Sequence, residues 1–179
     1  MLDKKNAPWV YTRGEPFRVI AALELYAVLV AIVTFCTDKY LGAAADRIGT
    51  IRIGGSTDNQ SNHYLLQKYL TTKYPLGCIL MEVAAQCHAR LLQPSVQWIP
   101  RMQNVEADAL TNEEFDAFSL KNRIPIDVAQ LPLLVLPKLL EHGEKFLTQR
   151  DALKEERAKQ AKRQKEKKEP LSLRLRDPW

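Results

Sequence analysis

Ile51-Arg-Ile-Gly-Gly-Ser-Thr-Asp58-Asn-Gln60 is the stretch that decides the fold. Ile51-Arg-Ile-Gly-Gly55 reads as a short strand, and Ser56 to Gln60 opens a polar turn with Asp58 at its centre. Behind it, Gln60 to Lys73 predicts a helix, with Leu65, Leu66, Tyr69 and Leu70 on its inner face. After the break at Tyr74-Pro75, Ile79, Leu80, Val83, Ala84, Cys87 and Leu91 recur at helical spacing. Pro94 is expected to end that element, and Ser95-Val-Gln-Trp-Ile99 to form a second short strand. A strand, helices and a strand in this order imply a parallel crossover, and hence an α/β layer structure.

The flanking segments each contribute one acid. Arg18-Val-Ile-Ala-Ala-Leu-Glu-Leu-Tyr-Ala-Val-Leu-Val30 is apolar apart from Arg18 and Glu24. Its helix should open at Pro16, a good first-turn residue, and run to about Cys36. Being apolar almost all round, it belongs between layers. Downstream, Trp98-Ile-Pro-Arg-Met-Gln-Asn104-Val-Glu-Ala-Asp108-Ala-Leu-Thr111 predicts a helix that holds Asp108, with Asn104 as its cap.

Composition fits one domain with a tail. The chain has 179 residues and a formal charge of +5, but the excess is local. Residues 1–149 hold 15 Lys and Arg against 15 Asp and Glu, while residues 150–179 hold 11 against 6. The basic character therefore belongs to the tail. Cys36, Cys78 and Cys87 form no C-x-x-C and sit in apolar stretches, as free thiols in a reducing compartment do. They are too scattered among the histidines for zinc. The expected organisation is an irregular segment 1–15, a layered domain 16–118, a proline-interrupted apolar segment and helix 119–153, and a charged tail 154–179.

Glu24, Asp58 and Asp108 are an acid on a helix, an acid at a strand end and an acid on a later helix. Magnesium is a hard cation that prefers oxygen ligands. Two such ions, about 3.5–4 Å apart, activate water and stabilise the leaving oxygen of a phosphodiester. The carboxyl end of a strand in an α/β sheet faces the usual ligand crevice, and Asp58 stands there. Each acid also has a plainer reading: Glu24 as a paired residue, Asp58 as a turn residue and Asp108 as a surface charge.

Taken in order, Ala22-Leu-Glu24-Leu, Thr57-Asp58-Asn59, Trp98-Ile-Pro100 and Asn104-x-x-Ala-Asp108-x-Leu-Thr111 resemble the ribonuclease H-like domain of retroelement reverse transcriptases, DIRS-like elements in particular. The likeness covers about residues 16–112. It implies a nuclease that cuts the RNA strand of an RNA–DNA hybrid with two magnesium ions, held here by Glu24, Asp58 and Asp108. Asn59, Gln60 and Arg101 flank those acids as candidate nucleic-acid contacts, and Arg101 stands in a loop where the family often has a histidine. The family's fourth acid, an Asp on the first strand of an opening meander, has no match among the residues ahead of Glu24. The resemblance therefore implies an incomplete layer fold, a fragment or degenerate copy that lacks an upstream polyprotein segment and is inactive alone. No Tyr-x-Asp-Asp polymerase motif occurs. Without the first strand, the strand ending at Asp58 keeps an unpaired edge.

Two other classes stand beside this reading. Val19 to Cys36 is 18 residues with Glu24 as its one charge, long enough for a single-pass membrane span. Alternatively, the tail residues Lys162, Arg163, Lys165, Lys167 and Lys168 make a noncatalytic module that binds nucleic acid, diluted by Glu155, Glu156, Glu166 and Glu169. The apolar stretch begins too late for a signal peptide, so a nuclear or cytoplasmic place is expected.

Overall fold

The computed structural model describes residues 3–5, 7–11, 14, 16–46 and 48–167. The architecture is α/β. Helices α1 (Ile20–Phe35) and α2 (Asp38–Leu41) precede strand β1 (Ile51–Thr57). Helices α3 (Gln60–Lys68) and α4 (Leu76–Ala89) then cross over to strand β2 (Leu92–Trp98), and α5 (Val105–Thr111) and α6 (Leu136–Lys167) follow. The strands pair in parallel, with Ile51 opposite Leu92 and Thr57 opposite Trp98. By contacts the chain divides into two units, residues 1–140 and 141–179.

The core of the first unit forms where α1 lies against α4. Leu25, Leu29, Ile32 and Val33 of α1 are buried with Ile79, Leu80, Val83 and Cys87 of α4. The crossover adds Leu65 and Leu66 from α3, and β2 adds Leu92. Burial of this kind gives roughly 1.5–3 kcal/mol for each large apolar side chain. It explains why a helix apolar on nearly every side is stable here. At 16 residues α1 is shorter than the membrane span read from the sequence. Among the described residues no single helix is long and apolar enough to cross a membrane, and α1 with the segment after it passes by length and composition only as a pair bent by 62°.

Several local expectations need correction. Pro94 lies inside β2 instead of ending the preceding helix. Ile51 N–H donates to the Leu91 carbonyl and Ile99 N–H to the Thr57 carbonyl. In this alternation the even-numbered residues of β2 turn their N–H groups away from β1, so the donor that Pro94 lacks falls on the outer edge, where proline is tolerated. Helix α3 stops at Lys68, five residues early, because Tyr69 takes a left-handed conformation with φ 50°. The segment 1–15 is not wholly irregular: Pro8–Tyr11 is a 3-10 turn that buries Trp9 and Val10, with Trp9 against Tyr26. Ala7, Trp9 and Val10, clustered in a largely polar stretch, are too few to show a period. The segment set apart as 119–153 is divided too, since Leu136 is core and Leu131, Leu133 and Leu140 pack against it.

The two edges of the sheet differ. On β2, the outward Val96 carbonyl accepts from His63 Nδ1 at 2.8 Å, next to the missing donor of Pro94. On β1, the same alternation turns the N–H and C=O groups of Arg52, Gly54 and Ser56 away from β2, and among the described residues no third strand meets them. The three cysteines are free, and burial pushes each thiol up, Cys87 to about 11. They act as small core residues.

In the second unit, α6 continues as one helix to Lys167. Its described side chains from Glu141 to Gln160 are mostly exposed, and Lys145 pairs with Glu141 at 2.7 Å. Lys162, Arg163, Lys165 and Lys167 lie on its last turns, whereas Lys168 is outside the described residues.

Candidate functional site

The site lies at the carboxyl end of the strand pair, where three bonds fix the turn that carries Asp58. Trp98 Nε1 donates to the Asp58 carbonyl at 3.0 Å, Ile99 N–H to the Thr57 carbonyl at 2.9 Å, and Asn59 N–H to Thr57 Oγ1 at 3.1 Å. Trp98 is therefore no plain core residue: it is half exposed and clasps the turn.

Asn59 joins this turn to two helices. Its Oδ1 accepts from Ser61 N–H at 3.0 Å and Asn62 N–H at 3.2 Å, which caps α3. Its Nδ2 donates to Glu24 Oε2 at 2.5 Å. The same oxygen of Glu24 accepts from Asn62 Nδ2 at 3.1 Å, and that amide also donates to the Ala21 carbonyl at 3.0 Å. The small Ala21 side chain leaves room for Asn62 to reach the α1 backbone. Asn62 is 2% exposed, and its Oδ1 is buried with no hydrogen-bond partner. Reversing the amide would set that oxygen against two acceptors, so the assigned orientation is the favourable one.

The structure thus ties Glu24 to the residue that follows Asp58. The carboxylate of Asp58 and Oε1 of Glu24 take part in no hydrogen bond or ion pair among the described residues. Asp108 is engaged differently. Its Oδ2 stands 3.6 Å from Arg101 Nε, with the two side chains 39% and 81% exposed, and both residues belong to the segment after β2. Asn104 precedes α5 but makes no side-chain cap bond there. Its ψ of 34° departs from the extended conformation usual at a cap. Gln60 opens α3 and is exposed.

These oxygens suit magnesium in kind, since carboxylates and carbonyls are what a hard cation takes. They do not fit two ions in number. Among the described residues, no three His, Cys, Asp or Glu side chains gather closely enough to hold a metal. One acid is drawn to Arg101, and a second has one oxygen committed to amides.

A further carboxylate, missed in the sequence, accepts four hydrogen bonds. Glu82 of α4 is 0% exposed. Its Oε1 accepts from Leu134 N–H at 2.8 Å and from Gln86 Nε2 at 2.6 Å, and its Oε2 from Val135 and Leu136 N–H at 2.7 Å each. Gln86 Nε2 also donates to the Pro132 carbonyl at 2.8 Å, and Arg90 donates to Gln86 Oε1. Burial raises the Glu82 pKa, but the backbone and Gln86 donors outweigh it and hold the carboxyl below its usual range. Glu82 therefore stays charged and caps the amino end of α6. The available signal was one acid in the apolar run Ile79-Leu-Met-Glu-Val83, the same signal that marks Glu24.

Compared with known protein families, curated proteins and solved structures, the chain matches none.

Proposed function

We propose that residues 16–112 form an incomplete ribonuclease H-like region of a retroelement reverse transcriptase, a degenerate or partial copy whose substrate class is the RNA–DNA hybrid. The observation that carries this reading is the bond from Asn59 to Glu24. It ties a helix-borne acid to Asn59, the residue that follows an acid at the carboxyl end of a parallel strand, in the order that the sequence motifs have. The parallel crossover through α3 and α4 supports it as well. Three acids of the family's four are matched, and those three do not gather into a metal centre here. Isolated, the chain therefore binds a hybrid without cutting it at a useful rate.

The test is incubation of the purified chain with an RNA–DNA hybrid and magnesium, with binding followed in parallel. Binding without cleavage is the expected result. Robust cleavage that disappears in Asp58→Asn would overturn the incompleteness, and failure to bind a hybrid at low salt would overturn the substrate class.

A second reading takes the chain as a binding module that acts through its tail. The charge excess confined to residues 150–179 favours it.

A further inference from the structure

Leu110, Phe115, Phe118, Leu120, Ile124 and Ile126 follow β2 and stay outside the core, neither buried in it nor packed against it. Apolar residues scattered singly at a surface need no explanation, but a group of them marks a binding surface or a ligand groove. Four of these close on one another: Leu110, Phe115, Phe118 and Leu120 line an open cavity of about 280 Å³. Its walls are shaped locally. Phe118 N–H donates to the Phe115 carbonyl at 2.9 Å, and Arg123 N–H to the Leu120 carbonyl at 3.2 Å. Consecutive turns therefore bend this one segment round the space. The volume falls just short of the roughly 300–1,000 Å³ usual for drug-sized ligands, so the occupant is small.

Arg123 is the one charged residue among those that line the cavity. Its guanidinium stands over the Phe115 ring, 6.0 Å from the centroid. Among the described residues it meets no carboxylate, although Glu113, Glu114 and Asp116 are close in sequence. A guanidinium against an aromatic wall keeps its fork of N–H donors for a planar acceptor, and a carboxylate matches that fork at two points. The single charges also match. A phosphate monoester carries about −1.5 to −2, an excess for a segment that already holds three acids.

We infer that this cavity is a binding site for a small apolar monocarboxylate, its body held by Leu110, Phe115, Phe118 and Leu120 and its head group by Arg123. The site goes beyond the proposed function, since neither Glu24, Asp58 nor Asp108 lines it.

The probe is naphthalene-2-carboxylate, titrated into the full-length chain at neutral pH and followed through backbone amide signals, with naphthalene-2-carboxamide as its uncharged counterpart. Shifts should saturate and centre on residues 110–123. The carboxamide should bind about 10-fold more weakly, because charge-assisted hydrogen bonds are the stronger ones. Arg123→Leu changes an exposed side chain, so the thermal midpoint should stay near wild type while the preference for the carboxylate disappears. Phe118→Ala should weaken both ligands alike. A carboxamide that binds as tightly as the carboxylate, or a preference that survives Arg123→Leu, would take the head group away from Arg123 and sink the proposal. Shifts that never saturate or spread over the whole surface would do the same, as would wild-type binding in Phe118→Ala. If these signals instead move with protein concentration alone, a second copy covers this face and the small-ligand site is lost.

Discussion

Glu24 and Glu82 are the same residue type in two apolar helices that pack on each other, and they end in opposite states. Glu82 is closed off: four hydrogen bonds reach it, both oxygens are used, and no surface remains. Glu24 is half used, partly exposed, and next to an orphaned amide oxygen. Burying a charge is costly unless hydrogen bonds replace its water. Where replacement is complete, the carboxylate is part of the framework. Where it stops halfway, the remaining oxygen is available to something outside the chain.

The contrast breaks most directly at Glu82. Glu82→Ala strands the Leu136 N–H in the core and removes the charge that caps α6, so a loss of about 1–3 kcal/mol for each donor left stranded is expected in denaturant unfolding. Amide exchange at Leu134 to Leu136 should accelerate in the same variant. A loss below about 1 kcal/mol would place Glu82 among ordinary surface carboxylates.

Acid sharpens it next. The folded pKa of Glu82 lies below the ordinary 4.5, so the folded state binds its proton less readily than the unfolded one. The stability it contributes is present above the unfolded value and is lost as pH falls through the folded one. Glu82→Gln should remove that part of the acid dependence, which a pH series of unfolding midpoints reads directly. An unchanged acid limb would show that the charge on Glu82 is not what the donors favour.

Glu24→Gln should cost less, about 1 kcal/mol, because an amide oxygen still accepts from Asn59 and Asn62 but loses the charge-assisted part of each bond. A cost equal to that of Glu82→Gln would erase the distinction between the two acids.

The smallest effect concerns the second unit. Deleting residues 154–179 should leave the unfolding midpoint of the first unit nearly unchanged. It should still flatten the dependence of duplex DNA binding on salt, which for B-DNA is a slope of about −0.9 per phosphate neutralised. Equal slopes for the full and shortened chains would remove the tail from any binding role.

What could be read beforehand was what side chains declare. The strand at Ile51, the helix after Tyr74-Pro75 and the parallel crossover announce themselves through apolar spacing, and Asp58 and Asn59 through turn chemistry. The Glu82 tie could not be read, because its donors are backbone N–H groups 52 to 54 residues away, and these look alike in every sequence. Pro94 misled for a related reason: the penalty for proline in a strand depends on which side its missing donor faces, and that follows only from the pairing. Asn62 passed as an ordinary polar helix residue because its partners lie on α1, about 40 positions earlier.

The uneven sheet edges limit how copies of this chain can assemble. A filament built by stacking strands needs two competent faces on every subunit, one to receive and one to offer. On β2, the absent donor of Pro94 and the carbonyl of Val96 occupied by His63 spoil one of them. Among the described residues, the β1 side is the one left to receive. Two copies related by a two-fold axis at that side would run their β1 strands antiparallel and leave the spoiled β2 edges outermost. Growth by that route would stop at a pair, so the blunted strand acts as a chain terminator for the open one.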